Sequence, residues 1–151
     1  MRFNHYCFCY IYIMVQSPKK ILIVEDDPVL QRMYMDRLVR ENLVVIQATT
    51  GQQGLSLAIQ HKPDIIILDI MLPGGLNGFD LLEHMRRDSA FKKTPIIMFT
   101  SLEKERETAR KVGVTDFLVK SHQSVDDMLE VIRKHLQPSF WTKFKHFLLE
   151  T

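Results

Sequence analysis

Three consecutive carboxylates, Glu25, Asp26 and Asp27, directly follow the apolar run Ile21-Leu22-Ile23-Val24, and Asp69 follows Ile65-Ile66-Ile67-Leu68 in the same way. Two buried strands that each end in acid would set those acids side by side at one edge of a parallel sheet. Like charges gathered there repel, so the cluster calls for a bound cation or a chemical role. Two further residues close apolar runs. Thr100 ends Ile96-Ile97-Met98-Phe99, and Lys120 ends Phe117-Leu118-Val119. Carboxylates, a hydroxyl and an ammonium would then share one rim.

The elements that must position them alternate along the chain. Strands are expected at 20–25, 43–47, 64–69, 95–100 and 115–119; the first, third and fourth are nearly continuous in large apolar residues, as strands covered on both faces must be. Asp27-Pro28 reads as a helix cap followed by proline at the first helical position. That helix runs to about Glu41, with Leu30, Met33, Tyr34 and Leu38 at helical spacing. Leu55, Ala58 and Ile59 mark a second helix, and Phe79, Leu82 and Met85 a third. A fourth, about 102–112, is mostly charged, with Ala109 and Val112 as thin anchors. A fifth opens at Ser124, with Asp127 completing a capping-box pattern and Val125, Met128, Leu129, Ile132 and Leu136 forming its buried stripe. Strands alternating with helices through short links imply a doubly wound α/β fold with right-handed crossovers. Ligands in such folds bind beyond the carboxyl ends of the strands.

Length and composition narrow the function classes. A chain of 151 residues carries one full core without disulfides or a structural metal. Its 20 basic and 18 acidic residues give no bulk electrostatic case for nucleic acid. The cysteines, Cys7 and Cys9, imply no disulfide framework, and a reducing cytoplasmic setting is the default. Residues 1–18 form an extension whose apolar stretch from Tyr6 to Val15 is too short to span a bilayer as a helix, so no stable membrane insertion is expected. A charged start and short apolar region match a signal peptide in part, but no small-residue cleavage site follows. A true start at Met14, with 1–13 disordered or mis-assigned, fits better.

Residues 19–137 resemble a bacterial response-regulator receiver domain, the family of the chemotaxis regulator. The resemblance rests on Ile-Val-Glu-Asp-Asp-Pro at 23–28, Leu-Asp-Ile-Met-Leu-Pro at 68–73, Asn-Gly-Phe at 77–79, Phe-Thr-Ser at 99–101 and Asp-Phe-Leu-Val-Lys at 116–120. Their joint order and fall at successive strand ends make the match specific. It implies a flavodoxin-like sheet of strand order 2-1-3-4-5. It also implies that Asp69 accepts a phosphoryl group from the phosphohistidine of a sensor histidine kinase or phosphotransfer protein. Asp26 and Asp69 would ligate Mg²⁺ directly, Glu25 through water, and Met71 through its backbone carbonyl, its side chain filling core or loop space. Lys120 and the Thr100 hydroxyl would each meet a phosphoryl oxygen. Thr100 would then move inward and Phe117 follow, changing the face built from helix four, strand five and helix five. A downstream protein would read that face, and phosphorylation-linked homodimerisation is compatible with it.

Each residue also has a plainer reading. Asp27 reads as a helix cap ahead of a metal ligand, Thr100 alone as a β-branched strand residue, and Lys120 alone as a surface lysine. Three departures from the family pattern stand out. Ser121 replaces the proline usual after the lysine, so a trans bond would shift the ammonium or loosen the next helix. Phe117 lacks a tyrosine hydroxyl. The loop Pro73-Gly74-Gly75-Leu76-Asn77-Gly78 is one residue longer than common. From 138 to 151 a short tail carries Trp141, Phe144 and Leu148 at helical spacing, with no output domain, so a stand-alone receiver is expected. A non-phosphorylated pseudo-receiver, purely an interaction module, is the competing reading. A haloacid-dehalogenase-type phosphatase or a topoisomerase-primase-type site would want Asp-x-Asp where Asp69 is followed by Ile70 and Met71. A dinucleotide enzyme would want glycines where Glu25-Asp26-Asp27 stand.

Overall fold

The computed structural model describes residues 18–136. Most of the N-terminal extension, both cysteines, the question of a start at Met14 and the aromatic tail from 138 lie outside that range. Among the described residues, parallel strands β1 (Lys20–Val24), β2 (Val44–Ala48), β3 (Ile65–Leu68), β4 (Ile96–Thr100) and β5 (Asp116–Val119) form one sheet in the order β2-β1-β3-β4-β5. Helices α1 (Pro28–Val39), α2 (Gly51–His61), α3 (Gly78–Arg87), α4 (Arg106–Val112) and α5 (Val125–Leu136) connect or follow them, and a 3₁₀ turn at Glu103–Glu105 leads into α4. This is the expected flavodoxin-like doubly wound arrangement, with strand order reversing between β1 and β3.

Strand residues alternate between two cores. Leu22, Val24, Ile66, Leu68, Ile96, Met98, Phe117 and Val119 face Ala58 of α2, Leu81, Leu82 and Met85 of α3, and Ala109 of α4. Ile21, Ile23, Ile65, Ile67, Ile97, Phe99 and Leu118 face Tyr34 and Leu38 of α1 and Met128, Leu129 and Ile132 of α5. Burial on both faces is why these strands carry no polar alternation. Each such side chain contributes roughly 1.5–3 kcal/mol by leaving water, before conformational entropy is set against it.

The helices differ from expectation in informative ways. On α1, Tyr34 and Leu38 are buried but Met33 is 44% exposed, because α1 and α5 share that face and narrow the stripe each must bury. On α2, Gly51, Gly54 and Ala58 make the buried side and Ile59 is exposed. Small residues let this helix approach the sheet closely, which a search for large apolar spacing does not register. The expected single helix over 102–112 begins as a 3₁₀ turn with no side-chain cap at Leu102. Its anchors are as thin as expected: Ala109 is buried and Val112 only partly so.

Candidate active site at the carboxyl edge of the sheet

The sheet's own hydrogen bonds carry on into the acidic loops. Glu25 N–H donates to the Ala48 carbonyl at 3.0 Å, and Asp69 N–H to the Val24 carbonyl at 3.0 Å. The backbone of both acids is therefore held by the neighbouring strand. Asp27 turns away from the cluster: its Oδ1 accepts from Val29 N–H at 2.8 Å and Leu30 N–H at 3.3 Å, capping α1. Beyond β3, Gly74 (φ +91°) and Gly75 (φ +87°) turn the chain through left-handed backbone before α3 starts. Asn77 and Asp80 form a capping box there. Gly78 follows, its N–H donating to the Ile70 carbonyl at 2.9 Å.

One carboxylate oxygen from each of Glu25, Asp26 and Asp69 lies within 4.8 Å of the other two. Glu25 and Asp69 are buried, at 3% and 6% exposure, while Asp26 faces solvent. No hydrogen bond from the described residues occupies the Asp26 carboxylate. Lys120, delivered by β5, places Nζ 2.6 Å from Glu25 Oε2 and 2.6 Å from Asp69 Oδ2. Met71 N–H donates to the other Asp69 oxygen at 3.3 Å. Burial pushes Glu25 above the ordinary glutamate range, and its bond to Lys120 pulls it back only in part. Burial would lower Lys120, but its bonds to Asp69 and Glu25 outweigh that and hold it above the usual lysine value. The buried Tyr34 beneath the site is likewise pushed up, by burial first and then by the charges of Glu25 and Asp69. A single ammonium thus faces two buried carboxylates, with a third, exposed carboxylate beside them. The all-oxygen donor set suits a small hard cation such as Mg²⁺, which keeps several of its waters.

The structure brings Glu25, Asp26, Asp69 and Lys120 together. Thr100 is fully buried at the end of β4; its Oγ1 accepts from Leu102 N–H at 3.4 Å, and its carbonyl from Lys120 N–H at 2.9 Å. Met71 corrects an expectation. Its side chain is 61% exposed rather than filling core or loop space, because the chain has already left the sheet and turns toward Gly74. Phe117 is buried at 7% exposure, so any swing begins from the inward position. The Arg106 guanidinium lies 4.9 Å from the centre of its ring and donates to the Phe117 carbonyl at 3.0 Å. The Lys120–Ser121 bond is trans, as are all peptide bonds among the described residues. With that bond trans, the ammonium still reaches Glu25 and Asp69 at 2.6 Å, and the start of α5 carries reciprocal bonds between Ser124 and Asp127 at 2.7–3.2 Å. Arg106 and Gln31 were not singled out from sequence, since a lone arginine or glutamine in a polar helix pattern carries no spacing signal. The Asn77–Asp80 box was legible in principle, as a capping residue three before an acid.

Comparison with known proteins agrees with this geometry. The response regulator receiver domain model matches residues 21–133. The protein PilH of Pseudomonas aeruginosa is 33% identical over 103 residues, covering 67% of this chain and 84% of that protein. The polar-differentiation response regulator DivK of Brucella anthropi is 28% identical over 121 residues, covering 79% and 97%. A probable transcriptional regulator, ycf27 of Guillardia theta, is 36% identical over 110 residues, and there this chain spans only 42% of the relative's length. Among solved structures, the chemotaxis protein CheY4 of Vibrio cholerae superposes with a TM-score of 0.71 at 28% identity, covering 78% of this chain and 98% of that one. The receiver domain of the sensor histidine kinase PA1611 of Pseudomonas aeruginosa, solved with a magnesium ion coordinated in its active-site cleft, gives 0.70 at 27% identity, covering 78% and 97%. With the sheet order, the acidic cluster and the matched family model in agreement, the chain belongs to the response regulator receiver domain family of two-component signalling.

Proposed function

We propose that this receiver accepts a phosphoryl group on Asp69 from the phosphohistidine of a sensor histidine kinase or phosphotransfer protein, and signals through protein contacts. The observation that carries the reading is the Lys120 ammonium at 2.6 Å from both Glu25 and Asp69, with Asp26 alongside. An Asp69 oxygen attacks phosphorus, the histidine N–P bond breaks, and an acyl phosphate forms on the carboxylate. Asp26 and Asp69 would hold Mg²⁺ directly, Glu25 through water and Met71 through its backbone carbonyl, and the ion would offset carboxylate and phosphoryl charge when bound. Lys120 supplies the protein's own cation at the same place, and need only turn from Asp69 to a phosphoryl oxygen attached to it. Thr100 donates its hydroxyl to a second phosphoryl oxygen, which alters its contact with Leu102 N–H and so the approach to α4. The face of α4, β5 and α5, with Phe117 at its centre, then presents a different surface to a protein target.

The test is incubation with acetyl phosphate and Mg²⁺, followed by intact mass. An acid-stable, base-labile adduct that is absent in Asp69→Asn is the expected result. No adduct, where a control receiver labels, would leave the pseudo-receiver as the better account.

A further inference from the structure

Gln31 sits in the first turn of α1, and its side chain spans two strand ends. Its Nε2 donates to the Glu25 carbonyl at 2.5 Å and to the Ala48 carbonyl at 2.8 Å. Both partners are acceptors, so the amide is oriented with its NH₂ toward them; the flipped amide would aim oxygen at oxygen. The Ala48 carbonyl also accepts from Glu25 N–H at 3.0 Å. The Glu25 residue is therefore held on both sides, its N–H by β2 and its carbonyl by α1. A third bond ties the clamp to the sheet: Gln47 Nε2 donates to the Gln31 carbonyl at 2.9 Å.

The consequence falls on Asp26. The carbonyl of Glu25 belongs to the peptide plane that Asp26 starts from, so fixing that carbonyl fixes the N–Cα bond of Asp26 and leaves only rotation about it to set where the side chain leaves the backbone. Asp26 needs such support because it is exposed and its carboxylate takes no hydrogen bond from the described residues. On its other side, Asp27 is pinned by capping α1. Glu25 and Asp69, by contrast, are already held through Lys120.

We propose that Gln31 is a positioning residue for this site: its carboxamide, bridging the Glu25 and Ala48 carbonyls, aims Asp26 and thereby sets the affinity for Mg²⁺. The proposal rests on the reading of the acidic cluster as a Mg²⁺ site. Groups that orient a metal ligand without touching the metal are worth roughly 10–100-fold in affinity.

The experiment needs no phosphodonor. Mg²⁺ is titrated into the full chain while the backbone amide resonances of residues 25–27 and 69–71 are followed by NMR. Gln31→Met, which keeps the volume and removes the donor, is expected to raise the Mg²⁺ dissociation constant roughly 10-fold. In an Asp26→Asn background the same substitution should change it hardly at all, because the residue it acts through is already disabled. An unchanged dissociation constant in Gln31→Met overturns the proposal. So does an equal loss in the Asp26→Asn background, which would mean general loosening of the loops. Gln31→Asn, an amide one methylene too short to span both carbonyls, serves the same comparison if the apolar variant does not fold. Failure of the wild-type chain to bind Mg²⁺ would instead overturn the reading of the cluster itself.

Discussion

Gly78, the first residue of α3, is the point where the fold and the proposed nucleophile touch most closely. A Cβ placed there would lie 2.1 Å from the Asp69 carbonyl oxygen, 2.7 Å from Ile70 Cα and 2.9 Å from the Asp69 carbonyl carbon. All three atoms are backbone, so no side-chain rotation relieves the clash. Restoring even a 3.0 Å contact to that oxygen takes a shift of about 0.9 Å. Either α3 retreats, loosening Leu81, Leu82 and Met85, each fully buried, or the peptide after Asp69 swings away. Overpacking of this kind costs about 1–3 kcal/mol, and the better helix propensity of alanine offsets at most about 1 kcal/mol of it. Misplacing a reacting group by about 1 Å costs on the order of 100-fold in rate. Gly78→Ala is therefore expected to unfold at lower urea, with a stability loss of about 1–2 kcal/mol. Its acetyl phosphate labelling should also slow by at least about 10-fold. Gly75→Ala is the control. It has no atom within 4 Å and pays only for its left-handed backbone, about 1–2 kcal/mol, with labelling retained. Wild-type stability and labelling in Gly78→Ala would refute the reasoning. Equal loss of labelling in both variants would shift the cause from close approach to loop flexibility.

Lys120→Met leaves Glu25 and Asp69 buried together without their shared cation; urea unfolding without metal should show a loss of about 2–4 kcal/mol, and added Mg²⁺ should recover more of it than the wild type gains. Arg86 donates to the carbonyls of Gly113 at 2.7 Å and of Phe91 and Thr94 at 3.0 Å, tying α3 to the loops on either side of β4 and α4. Arg86→Leu should cost about 2–3 kcal/mol by the same assay, with the Asp69 labelling rate unchanged. Burial would raise Asp64, but bonds from the Lys19 ammonium and Lys20 N–H outweigh it and hold the carboxyl below its ordinary value. Its contribution is thus present above the unfolded-state pKa and lost as pH falls through the lower folded one. Thermal melts of Asp64→Asn should accordingly show a weaker drop in stability on acidification below about pH 4 than the wild type.

Most of the sheet was legible because strands buried on both faces are written as unbroken apolar runs. Ile65–Leu68 and Ile96–Thr100 fall within a residue of their expected bounds, and so do the residues that close them. That placed Asp69, Thr100 and Lys120 on one rim before any contact was known. Helix faces read less well. Ile59 has the right spacing yet points outward, because Gly54 and Ala58 make the close contact and glycine carries no hydrophobic signal. What sequence could not supply was the division of labour within the site. That Glu25 is buried while Asp26 is exposed depends on where α1 and β5 close over the loop. Gln31 and Arg106 act through backbone carbonyls, and a carbonyl leaves no mark in the residue code.

The guanidinium resting on Phe117 bears on how readily the proposed signalling face would change. A cation over an aromatic ring is worth about 0.5–2 kcal/mol. Any conformer that moves the ring out from under Arg106 starts behind by that amount, and 1 kcal/mol is roughly a fivefold change in a two-state ratio. If Phe117 moves as proposed, Arg106 would act as a threshold: it would hold down the fraction of molecules that expose the ring in the absence of an input, and would set how much differential binding free energy an input at the far end of β5 must supply before the population turns over.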